Sequence, residues 1–156
     1  MPEPARALVA LLGGAALAIP AELVAAVVRP GPVTPVGGAE PWLVGMTAVR
    51  GRVLPVADLG RLTGVPPAET PDEPGGGWYV VVDDGRRAVA LAGLRVRRLV
   101  ACDSAADTLP RVGSPPGLPV RGIARLEADT GRGADALPPR AALVDVAALL
   151  DLVYDP

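Results

Sequence analysis

Short apolar runs separated by turn residues recur along the whole chain. Residues 8–12 are apolar, Gly13-Gly14 is a tight-turn dipeptide, and 16–19 return, which predicts a β-hairpin. After Pro20, residues 22–28 read as a helical turn feeding a strand, because paired valines favour extended structure. Residues 29–40 are punctuated by Pro and Gly and predict a loop. Residues 42–49 are apolar again, Arg50-Gly51 makes a turn, and 52–56 form the partner strand. Pro55 has no N–H to give to a ladder, so an edge position or a bulge is expected there. Asp58 is placed to cap a short helix over 59–62 that Gly64 ends. Residues 65–77, Pro-rich and acidic before three glycines, read as a linker.

The second half opens with a hairpin. Residues 78–82 run into Asp83-Asp84-Gly85, and 86–91 return, with Asp-Gly as the turn dipeptide. Gly93 interrupts, and 94–100 form a strand with an irregular pair at Arg98-Leu99. A long loop is expected over 103–119, a strand over 120–127, a turn region over 128–139 and a last strand over 141–145. Asp145 then caps a terminal helix over 146–152, whose Leu149, Leu150 and Val153 share an apolar face. Many short strands with turn signals every 8–12 residues or so indicate a mainly β protein of sandwich or barrel type. Two β-rich halves joined by an acidic linker fit two small barrels.

Composition narrows the chemistry. The chain has 156 residues, half of them hydrophobic, yet only 3% aromatic and without Phe. A core of Val, Leu and Ala is therefore expected, with Trp42 and Trp78 carrying more than their share of burial. All 15 basic residues are Arg, and Lys, His, Asn and Gln are missing. That removes His-based triads, imidazole-ligated metals, Lys Schiff bases and a P-loop lysine. A single cysteine, Cys102, excludes an internal disulfide and a Cys-cluster metal site. A net charge of −2 offers no electrostatic case for nucleic acid. Between Ala7 and Val28 only Glu22 is charged, so a signal peptide or membrane span must be weighed. Glu3 beside Arg6 weakens the positive region a signal needs, and Gly13-Gly14, Pro20 and Glu22 break a span. The hairpin is the better reading, and a cytoplasmic protein without membrane insertion is expected.

Several constellations have structural readings. Asp83 and Asp84 are adjacent carboxylates, but neighbours in a hairpin point apart and Asp-Gly suits a primed turn. Arg86 and Arg87, with Arg95, Arg97 and Arg98, read as a solvated ion-pair face. Cys102, Ser104 and Ser114 have no base to activate them. No catalytic, cofactor or metal site is expected, and an enzyme is not.

The densest information lies in residues 42–59, Trp-Leu-Val-Gly-Met-Thr-Ala-Val-Arg-Gly-Arg-Val-Leu-Pro-Val-Ala-Asp-Leu. This segment resembles the signature of the CheW family, the adaptor domains of bacterial chemotaxis-type signalling. Gly45, Met46, Val49, Arg50, Gly51, Val53, Leu54, Pro55, Val56, Asp58 and Leu59 match the pattern in order. The likeness extends to Ala18-Ile19-Pro20 and Val24 to Val27, to residues 88–96, and to Gly122-Ile123 with Ala142 to Val146 and Leu149-Leu150. Ala26 and Leu94 depart from it, standing where many members carry Glu and Asp. Both departures remove a charge from surfaces the family uses or supports. The Ala-Ile-Pro step is similar to PilI-like members.

The resemblance implies two five-stranded, SH3-like barrel lobes around a shared hydrophobic core, with short helices after Asp58 and at the C-terminus. The first lobe would be mainly 15–64 and the second mainly 78–145, with linker 65–77 and strand exchange open at both ends. It implies a non-enzymatic adaptor coupling chemoreceptors to a CheA-type histidine kinase and associated with receptor arrays through its partners. The kinase's regulatory domain would be met barrel-end to barrel-end, and a receptor's α-hairpin tip would lie in a groove between lobes. Val24, Val27, Gly45, Arg50 and Gly51 are the implied partner-binding residues. The valines would supply buried area and Arg50 planar hydrogen bonds, while Gly45 and Gly51 would let a helix approach. The alternatives are an adaptor of a type IV pilus twitching-motility pathway and, from another class, a secreted β-rich binding domain with a cleaved signal.

Overall fold

The computed structural model describes residues 5–66, 77–103, 117–127 and 137–154. The strands are β1 (Ala5–Leu12), β2 (Ala15–Pro20), β3 (Val24–Val28), β4 (Leu43–Val49), β5 (Arg52–Asp58), β6 (Tyr79–Asp83), β7 (Ala88–Ala92), β8 (Arg95–Asp103), β9 (Val120–Leu126) and β10 (Arg140–Val144). Helix α1 (Leu59–Thr63) follows β5, helix α2 (Val146–Tyr154) follows β10, and a 3-10 turn (Ala21–Leu23) precedes β3. The 7–28 run is thus three strands and a turn, with β1 paired to β2 and β8 inside a barrel. Among the described residues no helix is long and apolar enough to cross a membrane. Most of the linker, most of 103–119 and 128–139, and with them Ser104 and Ser114, lie outside the described residues.

Ten strands fall into two sets of five. One is a closed barrel in the order β1-β2-β10-β9-β8, and the other a sheet in the order β3-β6-β7-β5-β4. Strands are exchanged between the two halves of the chain. Strand β2 belongs with the C-terminal strands, and the β6–β7 hairpin completes the sheet of the first half. The joins between the halves are the antiparallel ladders of β1 with β8 and β3 with β6 and two parallel ladders, β2 with β10 and β5 with β7. Parallel neighbours cannot be linked by a hairpin, so no local turn signal marks them.

One face of the sheet packs against the barrel. Alternation sends Val80, Val82, Val89 and Leu91 to that face with Leu12, Leu17 and Ile19, and α2 adds Leu149 and Leu150. The opposite face gathers Leu54, Val56, Tyr79, Val81 and Ala90 into a smaller cluster. The tryptophans depart from expectation. Trp78 is 36% exposed, with the Arg29 guanidinium 5.4 Å over its ring, and Trp42 is half-buried at the core's edge. Each stands one residue before a strand, at the rim, where a polar indole N–H is not trapped. Leucine fills the centre instead.

Leu94 is also relocated by the structure. It is 2% exposed and part of the main core, so the apolar residue there serves packing rather than stripping a charge from a surface. Ala26 is half-buried against the smaller cluster.

Pro55 sits in β5, an interior strand, and not at an edge or bulge. The Thr34 N–H donates to the Met46 carbonyl at 2.8 Å and the Met46 N–H to the Thr34 carbonyl at 2.9 Å. Met46 therefore turns both peptide groups away from β5, and its pair with Pro55 is a non-hydrogen-bonded one. The missing N–H faces β7, where pairing begins only at Val56. The caps are as expected. Asp58 accepts from the Arg61 N–H at 3.1 Å, Gly64 is left-handed, and Asp145 accepts from the Ala148 N–H at 3.0 Å.

Candidate functional site

Strands β3 and β4 are the two opposite edges of the sheet, which separates the expected site residues into two groups. Gly45, Arg50 and Gly51 share the β4–β5 hairpin, while Val24 and Val27 lie on β3. The two valines are half-buried against the main core.

The hairpin turn is a two-residue loop between the paired Val49 and Arg52. Arg50 has φ +49° and Gly51 φ +82°, the double positive pattern of a type I′ turn. Gly51 suits its position. Arg50 does not, being the one non-glycine residue with positive φ among those described. Its exposed guanidinium also has no hydrogen bond or ion pair among the described residues, whereas neighbouring Arg52 donates to Asp83 at 2.7 Å. An ordinary turn arginine tied to a nearby carbonyl is therefore not what stands here. Replacing Arg50 by Asn, which tolerates this conformation, is expected to stabilise the fold by about 0.5–1 kcal/mol, raising the melting temperature by roughly 1–4 °C. A lower melting temperature for Arg50→Asn would show that the arginine holds the fold after all.

Gly45 has a structural task within the fold. A Cβ there would strike the main chain of Thr34, the residue that bridges to Met46. Its φ of +154° is equally a glycine conformation.

Beside this hairpin is a feature that residue patterns did not reveal. An open groove of about 360 Å³ lies between Met46, Val53 and Pro55 of the hairpin, Val36 and Ala39 of the preceding loop, and Val153 and Tyr154 at the end of α2. Pro55 and Ala57 alternate onto the sheet face that packs against the barrel, so the groove continues that apolar face beyond the cover of α2. Val53 is 67% exposed, Val36 49% and Tyr154 44%. The signal available in the sequence was Val53, an apolar residue next to a turn; the helix end that faces it is 100 residues away.

The polar groups nearby are committed to structure. Asp83 accepts from the Gly85 N–H at 2.7 Å, and Asp84 from the N–H groups of Arg86 and Arg87 at 2.8 and 2.7 Å. The hydrogen bond from Arg52, then that from Gly85, holds the Asp83 carboxyl below the usual range, and backbone N–H donors do the same for Asp84. Burial pushes the Cys102 thiol up, which disfavours a reactive thiolate. The groove itself is lined by apolar side chains and one phenol. Such a surface suits the burial of apolar groups of another molecule.

The comparisons agree with this picture. A model of the CheW-like domain matches residues 6–153. The crystal structure of the scaffolding protein TtCheW from Thermoanaerobacter tengcongensis has the same fold, with a TM-score of 0.71 at 18% identity, over 92% of this chain and 90% of that one. No curated protein matches the sequence.

Proposed function

The chain belongs to the CheW-like domain family, and from that premise we propose that it is a non-catalytic adaptor joining chemoreceptors to a CheA-type histidine kinase. The observation that carries the proposal is the apolar groove beside a strained arginine that has no partner among the described residues, both on the hairpin at one edge of the sheet. Exposed apolar surface ringed by polar groups marks a place where another molecule binds. A non-glycine residue kept left-handed at a turn marks a position held for something other than stability.

Two surfaces on opposite edges of one sheet suit a coupling role. The β4–β5 hairpin ends its lobe and takes the kinase's regulatory domain, with Arg50 offering a planar fork to carboxylates at the rim. The β3 edge, with Val24 and Val27, takes the receptor's helical tip. Each partner then contacts a different edge, and the sheet between them fixes their spacing. The protein works in the cytoplasm, at receptor arrays to which its partners recruit it.

Val53→Asp tests the kinase surface. Val53 contributes little to folding at its exposure, so melting temperature stays within about 1–2 °C of the parent. Burying a carboxylate against Met46 and Pro55 in the complex weakens binding of the kinase regulatory domain by more than about tenfold. Binding of a receptor cytoplasmic fragment is unchanged. Unaltered affinity for the kinase domain would remove the hairpin and groove from the contact.

A further inference from the structure

Barrel and sheet are separate hydrogen-bonded units, and among the described residues no ladder runs from one to the other. Their shared core draws them together, but apolar burial is non-directional and does not by itself fix how the two are turned. Hard contact with main chain does, because main chain has no rotamer with which to give way. Such contacts converge on α1. A Cβ on Gly13, in the β1–β2 turn of the barrel, would strike Val65 Cγ1, two residues beyond the helix. A Cβ on Gly117, in the approach to β9, would lie 3.1 Å from the Leu62 carbonyl oxygen. A Cβ on Gly93 would lie 3.0 Å from Asp58 Oδ1 and 3.1 Å from the Gly60 nitrogen. Gly93 and Leu94 are the two-residue crossing from β7 of the sheet to β8 of the barrel.

Val65 is tied to the helix it follows. The Thr63 hydroxyl donates to the Leu59 carbonyl at 2.7 Å and accepts from the Val65 N–H at 3.3 Å, so a buried side chain holds the valine to the last turn. Leu59, fully buried, anchors the other end of α1 in the shared core. We infer that α1 with Val65 is a wedge that sets the angle between barrel and sheet. Its start closes on the crossing at Gly93, and its exit stops the barrel at Gly13 and Gly117. The crossing is the natural hinge, being short and carrying a glycine at φ +85°. Packed against Asp58 and Gly60, that hinge is held at one setting. Helix α2 also passes from barrel to sheet. Its polar ties, from the Tyr154 hydroxyl to the Ala88 carbonyl and from Arg87 to Asp151, are side-chain hydrogen bonds that shift without a main-chain collision. The wedge acts within the fold whichever partners take the two edges of the sheet.

The experiment measures the distance between barrel and sheet in the full chain, by electron–electron dipolar spectroscopy with spin labels on Ala48→Cys in β4 and Arg125→Cys in β9. Both positions are exposed and lie within strands, and Cys102, the only cysteine, is first replaced by Ala. The labelled parent is expected to show one narrow distance distribution. Gly13→Ala drives Val65 from its seat and is expected to roughly double the width of that distribution. Gly14→Ala alters the same turn, but its Cβ meets nothing within 4 Å, and the parental distribution is expected. Adding Val65→Ala to Gly13→Ala removes at least half of the added width. Gly13→Asn tolerates the left-handed φ of +57° and brings the same Cβ against Val65, so it is expected to broaden the distribution even where Gly13→Ala does not fold. A lower melting temperature for Gly13→Ala with the parental distribution confines the effect to the turn and overturns the inference. Equal broadening in Gly14→Ala, or no narrowing on adding Val65→Ala, overturns it as well. Equal broadening in Tyr154→Phe places the setting in α2 and overturns it too.

Discussion

Leu149→Ala lowers the stability of the protein by about 3 kcal/mol, equivalent to roughly 6–12 °C in melting temperature for a chain of this size. Leu149 is completely buried, on the face of α2 that enters the core shared by barrel and sheet. Truncation removes its transfer free energy and leaves a cavity, and the surroundings are poorly able to fill it. Barrel strands β1 and β2 and sheet strands β6 and β7 all send side chains to this core. Each is held in register by its own ladder and is not free to collapse inward. Alanine has the better helix propensity, which offsets the loss by only a few tenths of a kcal/mol. Leu152→Ala is the control, being on the same helix but half-exposed, and is expected to shift stability by less than half as much. Denaturant titration of the three proteins checks the ranking. Equal midpoints for Leu149→Ala and Leu152→Ala would mean that α2 does not enter the shared core.

Much of the fold was legible because short-range chemistry dictates it. The Arg50-Gly51 turn, the Asp58 and Asp145 caps and the Gly64 stop each act within about four residues and stand where the pattern put them. The turn after Asp83 is instead a four-residue loop over 84–87, so that β7 starts at Ala88 and not at Arg86. The strands follow from those punctuation marks. Their partners across the lobes do not, because β2 with β10 and β5 with β7 are parallel and meet across long stretches of chain. Pro55 illustrates the limit. Read alone, a proline argues for an edge; its tolerance in an interior strand depends on its missing N–H facing β7 at a point where that ladder has not begun, a fact of tertiary structure. The candidate site divides in the same way. Arg50 stood out from its motif, but the groove beside it needs Tyr154, held by an anchor that involves Ala88 and Arg87. Partner-binding surfaces assembled from three remote segments leave no periodicity to detect.

Gly45→Ala is expected to be as damaging as the loss of Leu149, for a backbone reason. The new Cβ would lie 2.8 Å from the carbonyl carbon of Thr34 and 2.9 Å from Val33 Cγ1, with the Thr34 oxygen closer still. The obstruction is main chain, which no rotamer change relieves. A φ of +154° adds strain of its own for any residue with a Cβ. The segment at Thr34 must then withdraw, breaking both of its hydrogen bonds to Met46, at about 1 kcal/mol each. Together with the strain this amounts to roughly 3 kcal/mol. The consequence reaches beyond stability. Thr34 bridges the outer edge of β4, and without it Met46 presents unpaired N–H and C=O groups on an edge strand. Hydrogen exchange at the Met46 amide is therefore expected to accelerate more than tenfold in Gly45→Ala, while the Arg52–Asp58 amides that pair inward with β4 and β7 keep their protection. Concentration-dependent association of the variant is the second sign, since an exposed edge is a template for another strand. Unchanged exchange at Met46 would mean that Thr34 does not guard β4, and the close approach at Gly45 would then have no role in shielding this edge from another strand.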